Sequence, residues 1–262
     1  MNRKLKPAKE HNRYRTSLMN YLARSGYENM KDQGITSEQM YKIEENGHAL
    51  LGMKRLLMME NAGHGTADLL HQRFGDSLKT KKIVAVCGSG NNGGDAFVAC
   101  RHLAACHINN VTALLLVPPG KIRTQEAKIN WRIIGRMKSI KKIVMANRRT
   151  DGLSRAVEEE IQSADVILDG LIGTGVKGGI KEPYSSAFDR VNESDAFVLA
   201  IDIPSGIDPN TGNPSNKCIK ANATVTFHRV KRGLNIAKQY TGHVHVEPIG
   251  IPPEAEEGVL AK

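Results

Sequence analysis

One stretch of the sequence decides the fold, and it reads IVAVCGSGNNGGD from Ile83 to Asp95. Its first five residues form an apolar run bounded by lysine and glycine, a pattern typical of a strand buried on both faces. The glycines that follow let backbone N–H groups approach a ligand with no Cβ in the way. A helix that opens after such a turn offers unpaired donors and partial positive charge. The stretch therefore predicts a strand-turn-helix unit that binds phosphate groups.

Strand and helix patterns alternate along the rest of the chain. Helices are predicted over residues 53–74, 95–105, 124–137, 152–162 and 185–191. Strands are predicted over residues 83–87, 111–117, 143–145, 165–168, 196–201, 223–227 and 243–247. Thr36 and Gln39 predict a capping box at the start of an earlier helix. Apolar strands in alternation with helices indicate an α/β fold with a mostly parallel sheet covered on both faces.

The simplest organisation is a basic extension over residues 1–34 and a single domain over residues 35–262. Between residues 3 and 15 six lysines and arginines face one acid, Glu10, within a net charge of +10. Such a charge suits an anionic small molecule, nucleic acid or a membrane surface, and a solvated arm is the plainer interpretation. The four cysteines show no CxxC spacing, and no apolar run approaches the roughly 20 residues of a membrane span. No signal peptide is evident either. We therefore expect a cytoplasmic protein with no membrane contact.

Polar side chains follow three of the predicted strands. Asn92 follows the first, Asp169 the strand at 165–168, and Asp202 with Ser205 the strand at 196–201. Because α/β sheets bind ligands at the carboxyl ends of their strands, we expect these side chains to line one crevice. Their oxygen-only chemistry suits a hard cation rather than zinc, and the residues alone leave the ion open. Asp202 is the candidate general acid or base; the alternative is that it and Asp169 only cap turns.

The loop over residues 173–179 follows Asp169 and carries Lys177, a cation that can meet a phosphate. An NADP-dependent reductase is one rival interpretation of a dinucleotide site. It is disfavoured because no acidic residue stands about 20 positions beyond the glycine turn to bind a ribose hydroxyl.

Taken together, these motifs resemble the NAD(P)H-hydrate epimerase family, the YjeF N-terminal domain. The resemblance covers about residues 35–252. It rests on GNNGGD at 90–95, D-x-x-x-GTG at 169–175, DIPSGID at 202–208, MENAG at 59–63, TVTF at 224–227 and K-x-G-L at 231–234.

The resemblance implies a Rossmann-like three-layer α/β/α fold, a homodimer and an isomerase. The substrates implied are the R and S epimers of hydrated NADH and NADPH (NADHX and NADPHX), with a separate NAD(P)H-hydrate dehydratase acting on the product pool. Asp202 is implied as the catalytic residue, and Asn92, Asp169 and Ser205 as ligands of a potassium ion (K+). The substrate-binding residues implied are Asn91, Asn92, Gly93, Gly94, Asp95, Gly173, Thr174, Gly175, Val176, Lys177, Gly178, Gly179 and Asp202.

The alternative is a non-catalytic relative that serves as a binding scaffold for an RNA or protein partner. The basic extension over residues 1–34 would suit that role. A scaffold has no need of Asn92, Asp169 and Asp202, and this chain has all three. The sequence therefore favours the enzyme, and nucleic acid is not the expected partner.

Overall fold

The computed structural model describes residues 34–145, 152–175 and 178–260, so the predicted basic extension lies outside the described residues except for Gly34. The helices are α1 Ser37–Ala49, α2 Arg55–Phe74, α3 Asn91–Ala105, α4 Gln125–Gly135, α5 Arg155–Gln162, α6 Tyr184–Asn192, α7 Arg232–Ile236 and α8 Lys238–Thr241. The strands are β1 Ile83–Cys87, β2 Val111–Leu115, β3 Ile140–Val144, β4 Val166–Gly170, β5 Phe197–Ile201, β6 Ala223–Phe227 and β7 His243–Glu247. Within these ranges, no helix has the length and apolar character needed to cross a membrane.

The seven strands form one sheet in the order β3-β2-β1-β4-β5-β6-β7, and every neighbouring pair is parallel. The α/β prediction is therefore confirmed, with a sheet that is wholly rather than mostly parallel. From β1 the chain winds to one side through β2 and β3, and from β4 it winds to the other. The direction reverses between β1 and β4, and such a switch point opens a crevice at the carboxyl ends of the two strands.

The central strands are buried on both faces because helices cover both. Along β1, Ile83 and Cys87 point into the core on one side of the sheet, whereas Val84 and Val86 point into the core on the other. This alternation follows from the two-residue period of a strand. The edge strands β3 and β7 are only partly buried, and their lysines and histidines reach solvent. His243 and His245 lie on the edge strand β7, within the predicted strand over residues 243–247.

Several predicted boundaries were wrong near the crevice. Strand β4 continues to Gly170, because Asp169 and Gly170 pair with residues of the neighbouring strands. Helix α3 begins at Asn91, four residues earlier than predicted, with Gly90 as its N-cap. Low helix propensity of glycine argues against a helix there, and tertiary packing overrides it. The capping box of Thr36 and Gln39 at the start of α1 is confirmed.

Helices α2 and α3 touch backbone to side chain at Gly63. A Cβ atom on Gly63 would lie 2.3 Å from Cβ of Val98 and 2.7 Å from the carbonyl oxygen of Asp95. The sequence contains this glycine inside a helix, where it lowers stability, and a close approach of this kind is the reason. The approach holds α3, and with it the glycine turn, against the outer helix α2.

We expect Gly63→Ala to destabilise the fold by about 1–3 kcal/mol, because the new methyl group overpacks the α2–α3 contact. The control is Gly135→Ala at the end of α4, where an added Cβ meets nothing within 4 Å. There the gain in helix propensity should be about 0.5–1 kcal/mol. Chemical denaturation of both variants measures the two changes. Equal stability of the two variants would contradict the close approach.

Candidate functional site

The turn after β1 is built from glycines that tolerate no side chain. The amide of Gly88 donates to the carbonyl of Gly170, at 2.9 Å, across the switch point. A Cβ on Gly88 would lie 1.9 Å from the carbonyl oxygen of Leu171, and one on Gly93 would lie 2.2 Å from the carbonyl oxygen of Gly88. Gly88, Gly90 and Gly93 also have the G-x-G-x-x-G spacing of dinucleotide-binding turns. The turn therefore presents backbone N–H groups and the N-terminus of α3 to the crevice.

Asn92 joins the ends of three strands. It lies on the first turn of α3, directly after the β1 turn, and is 7% exposed. Its Nδ2 donates to the carbonyl of Ile201 at the end of β5, at 2.8 Å. Its Oδ1 lies 2.8 Å from the position that a Cβ on Gly173 would take, in the loop after β4. The structure thus brings together the strand ends that the sequence placed at one edge of the sheet.

Asp169 lies within β4 instead of after it, and it is fully buried. Its carboxylate accepts from the amide and hydroxyl of Ser205, at 2.8 and 2.6 Å, and from the amide of Leu171 at 3.3 Å. Ser205 Oγ in turn accepts from the amide of Ile172, at 2.8 Å. Burial raises the pKa of Asp169 to about 6, and the hydrogen bonds from Ser205 and Leu171 oppose that rise. Asp169 and Ser205 therefore tie the loop after β5 to the loop after β4.

Asp202 forms a buried ion pair with Lys231. Its Oδ1 accepts from the ammonium group of Lys231 and, at 3.2 Å, from the hydroxyl of Thr226. The Lys231 side chain is 1% exposed and that of Asp202 is 14% exposed. In the described part of the chain no hydrogen bond reaches Oδ2 of Asp202. The carboxylate is thus held by one oxygen, and the other is left for a ligand or water.

Two further carboxyl groups lie in the electrostatic range of this pair, Asp95 on α3 and Glu44 on α1. Burial raises the pKa of Asp95 well above its usual range and that of Glu44 to about 7. The negative charge of Asp202 adds to both rises, and the Lys231 ammonium opposes them. Asp95 is buried and Glu44 is half-buried, and the guanidinium of Arg55, 3.9 Å from Glu44, is a second positive charge beside the cluster. With a pKa of about 7, Glu44 is partly protonated near neutral pH.

Sequence reasoning missed Glu44 and the role of Lys231. Lys231 was quoted only as part of a motif. The sequence feature that could have pointed to it is its position shortly after the apolar strand over residues 223–227. Glu44 carries no motif, and its position beside the ion pair is a consequence of how α1 packs. Both residues lie outside the three strand-end loops that carry Asn92, Asp169 and Asp202.

The remaining predicted residues differ in how they meet the crevice. Asn91 is exposed, whereas Gly93 and Gly94 are buried, so these glycines can offer a ligand only their peptide groups. Gly173 lies beside Asn92. Thr174, which follows it, is half-buried, and Gly175, Gly178 and Gly179 are exposed. Val176 and Lys177 lie outside the described residues.

The donors suited to a cation are oxygens. Among the residues that the structure describes, no group of three or more His, Cys, Asp and Glu side chains is placed to hold a metal ion. His245 is paired with Glu247, at 3.1 Å, on the edge strand. The set of Asn92, Asp169 and Ser205 offers one carboxylate and two neutral oxygens, which fits a monovalent cation better than a divalent one. Oδ1 of Asn92 accepts no hydrogen bond within the described ranges.

The sequence of the chain is similar to that of a known family. A family model described as YjeF-related protein N-terminus matches residues 55–233. The chain is 47% identical to the NAD(P)H-hydrate epimerase of Cenarchaeum symbiosum and 43% identical to that of Nitrosopumilus maritimus, in each case over 86% of this chain and 99% of the relative. It is 41% identical to the bifunctional NAD(P)H-hydrate repair enzyme Nnr of Pyrobaculum aerophilum over 86% of this chain and 43% of that protein.

The fold also resembles a solved structure. The crystal structure of the yeast protein ynu0, YNL200c, superposes with a TM-score of 0.68, at 20% sequence identity, over 82% of this chain and 87% of that one. At this identity the likeness concerns the arrangement of strands and helices alone. It supports the three-layer architecture described above.

We expect Glu44→Gln to flatten the dependence of stability on pH between about 4.5 and 7. The folded-state pKa of Glu44, about 7, lies above its usual value of 4.5, so the folded protein binds this proton more tightly. Its contribution is complete below pH 4.5 and is lost as the pH rises through 7. Unfolding free energies measured across this range test the effect, with Glu45→Gln as the control on the same helix. An unchanged slope in Glu44→Gln would show that this group does not titrate as described.

Proposed function

The chain belongs to the YjeF-related protein N-terminus family, and on that basis we propose that it is an NAD(P)H-hydrate epimerase. This isomerase interconverts the R and S epimers of hydrated NADH and NADPH. The observation that carries the proposal is the Asp202–Lys231 ion pair beside a glycine turn of dinucleotide-binding spacing. The 47% and 43% identity to two proteins named NAD(P)H-hydrate epimerase, over 99% of each relative, supports it.

Substrate binding follows from the turn and the loop after β4. The amides that follow Gly88 in the turn and the N-terminus of α3 suit the pyrophosphate of a dinucleotide, because both favour negative charge. The loop over residues 173–179, with Lys177, is the second candidate contact with the substrate. We infer that Asn91, Asn92 and Asp95 complete the binding surface on α3.

The reaction needs an acid and a base near one carbon. The hydrated carbon carries a hydroxyl group beside a ring nitrogen. When an acid protonates this hydroxyl, the C–O bond breaks, water leaves, and the nitrogen lone pair stabilises the resulting iminium cation. Water then adds to the opposite face and gives its proton to a base, which restores the substrate in the other configuration. One group can serve as acid and base in turn.

Asp202 is the residue that fits this role. Lys231 and Thr226 hold its Oδ1, so the orientation of Oδ2 is set before the substrate arrives. The carboxylate charge also favours an iminium cation close to it. Burial raises the pKa of Asp95, in the same cluster, well above its usual range.

The proposal includes a potassium ion held by Asn92, Asp169 and Ser205. These residues fit the ion because they offer only oxygen atoms and one fully buried carboxylate that a positive charge would offset. When bound, the ion would supply positive charge where the three loops meet. Asp169 and Ser205 hold two of these loops together by themselves, and Asn92 holds the third against β5.

We infer a partner activity, a location and an oligomeric state for the enzyme. A dehydratase that consumes one epimer is the partner activity implied, in line with relatives named bifunctional NAD(P)H-hydrate repair enzymes. A cytoplasmic location and a homodimer are part of the same proposal.

We expect Asp202→Asn to lower the epimerisation rate by about 100-fold or more, in the range general acid–base groups contribute. The measurement starts from the R epimer alone and follows the appearance of the S epimer by chromatography, with NADPH binding measured by calorimetry. Asp208→Asn is the control, since Asp208 in the same motif caps the amides of Asn210 and Thr211. An unchanged rate in Asp202→Asn with unchanged binding would remove Asp202 from the mechanism. No turnover by the unmodified protein would favour a binding scaffold instead.

We expect the epimerisation rate to rise with potassium concentration and this rise to weaken in Ser205→Ala. The reason is that the substitution removes one of the three proposed ligand oxygens. Rates are compared in potassium and in tetramethylammonium salts at constant ionic strength. Ser194→Ala is the control, because among the described residues its hydroxyl bonds only the carbonyl of Val191. A rate independent of potassium in the unmodified protein would argue against the ion.

A further inference from the structure

The loop that carries Lys231 is held by a buried cluster of three side chains, which we name the clasp: His228, Arg229 and Glu256. Glu256 belongs to a short 3-10 helix, Pro253–Glu256, close to the end of the described chain. Its Oε1 bonds His228 Nε2, at 2.9 Å, and accepts from Arg229 Nε at 2.7 Å. Its Oε2 accepts from Arg229 Nη2 at 2.5 Å. The clasp therefore joins two adjacent residues of the loop to one carboxylate.

The loop needs such support because its backbone is strained. His228 follows the end of β6 with a φ of 62°, in the left-handed region that non-glycine residues seldom adopt. This conformation turns the chain so that Lys231 folds back over the strand end. There its Nζ donates to the carbonyl of Phe227, at 2.9 Å, as well as to Asp202. Strained conformations persist only where the surroundings hold them.

Two backbone hydrogen bonds to Ile35 also hold the loop. The amide of Ile35 donates to the carbonyl of Val230, at 2.8 Å, and the carbonyl of Ile35 accepts from the amide of Arg232 at 2.9 Å. The clasp itself is anchored, since the carbonyl of Ala255 accepts from Asn46 of α1 at 2.9 Å. Glu256 therefore connects the 3-10 helix Pro253–Glu256, which is bonded to α1, to the loop that carries Lys231.

The charges of the clasp are balanced without a proton on histidine. Burial lowers the pKa of His228 to about 4, so its ring is neutral near pH 7. Burial favours the neutral form of Glu256, but the hydrogen bonds and charge of Arg229 outweigh it and lower the pKa of Glu256. Arg229 is thus the counter-charge of Glu256, and neutral His228 is hydrogen-bonded to Glu256.

We propose that Glu256 is a positioning residue for the reaction: it holds the loop over residues 228–231 in the conformation that keeps Lys231 Nζ on Asp202 Oδ1. Glu256 touches neither substrate nor reacting atoms and acts through Lys231. It lies outside residues 55–233, the part matched by the family model. This inference rests on the proposed function, because it assigns the ion pair to catalysis.

The test compares Glu256→Ala and Glu256→Gln with the control Glu257→Gln, since Glu257 is exposed and outside the clasp. A cavity of about 500 Å³ adjoins the clasp, lined in part by Ile35, Arg229 and Glu256, so truncation enlarges an existing space. We expect kcat to fall at least tenfold in Glu256→Ala with KM within twofold. Glu256→Gln, which keeps an acceptor for Arg229, should retain more activity than Glu256→Ala, and Glu257→Gln should match the unmodified protein.

Crystal structures of the unmodified protein and Glu256→Ala supply a readout that does not need turnover. We expect the separation of Lys231 Nζ and Asp202 Oδ1 to increase beyond hydrogen-bond distance in the variant. A folded Glu256→Ala with unchanged kcat, or one with an intact ion pair, would overturn the inference. If that variant fails to fold, Arg229→Lys, which loses the paired contact but keeps the charge, replaces it with the same expectations. Absence of epimerisation in the unmodified protein would refute the proposed function, while the structural comparison would still decide the role of Glu256.

Discussion

The buried ion pair of Lys231 and Asp202 is the interaction on which the site depends. An ammonium group that is 1% exposed is stable only beside an opposite charge and with its hydrogen bonds satisfied. Both partners sit on strained backbone or next to it, since Asp202 and His228 each have a positive φ. The surrounding parts of the molecule, from Ile35 before α1 to Glu256 near the C-terminus, hold these segments in place.

The pair is useful because of where the sheet places it. Parallel strands that reverse their winding between β1 and β4 leave a crevice at their carboxyl ends. The glycine turn lines this crevice so closely that the carbonyl oxygen of Leu171 occupies the space of a Cβ on Gly88. Asn92, Asp169 and Ser205 then tie the loops after three strands to one another. The proposed binding groups and the proposed catalytic carboxylate are thus held on one frame.

Sequence reasoning performed best where a local pattern has one physical cause. The apolar run at Ile83–Cys87, bounded by lysine and glycine, is typical of a strand buried on both faces, and the capping box of Thr36 and Gln39 needs nothing beyond its own helix turn. It failed at the start of α3 and the end of β4, where glycines and an aspartate favour a loop. There, tertiary packing of the helix and pairing of the strand with segments distant in sequence supply more free energy than local propensity withholds.

The parallel α/β fold and the three polar strand ends can be predicted from the sequence, because hydrophobic periodicity and strand-end chemistry are local properties. The family can be predicted as well, since the motifs are long and ordered along the chain. Which charged side chains meet depends instead on how the chain packs in three dimensions. Lys231 pairs with Asp202, and the charges of both act on Glu44. Glu256 holds the loop over residues 228–231 through its ion pair with Arg229. These contacts join segments remote in sequence, and no spacing rule along a chain encodes a distance across a fold.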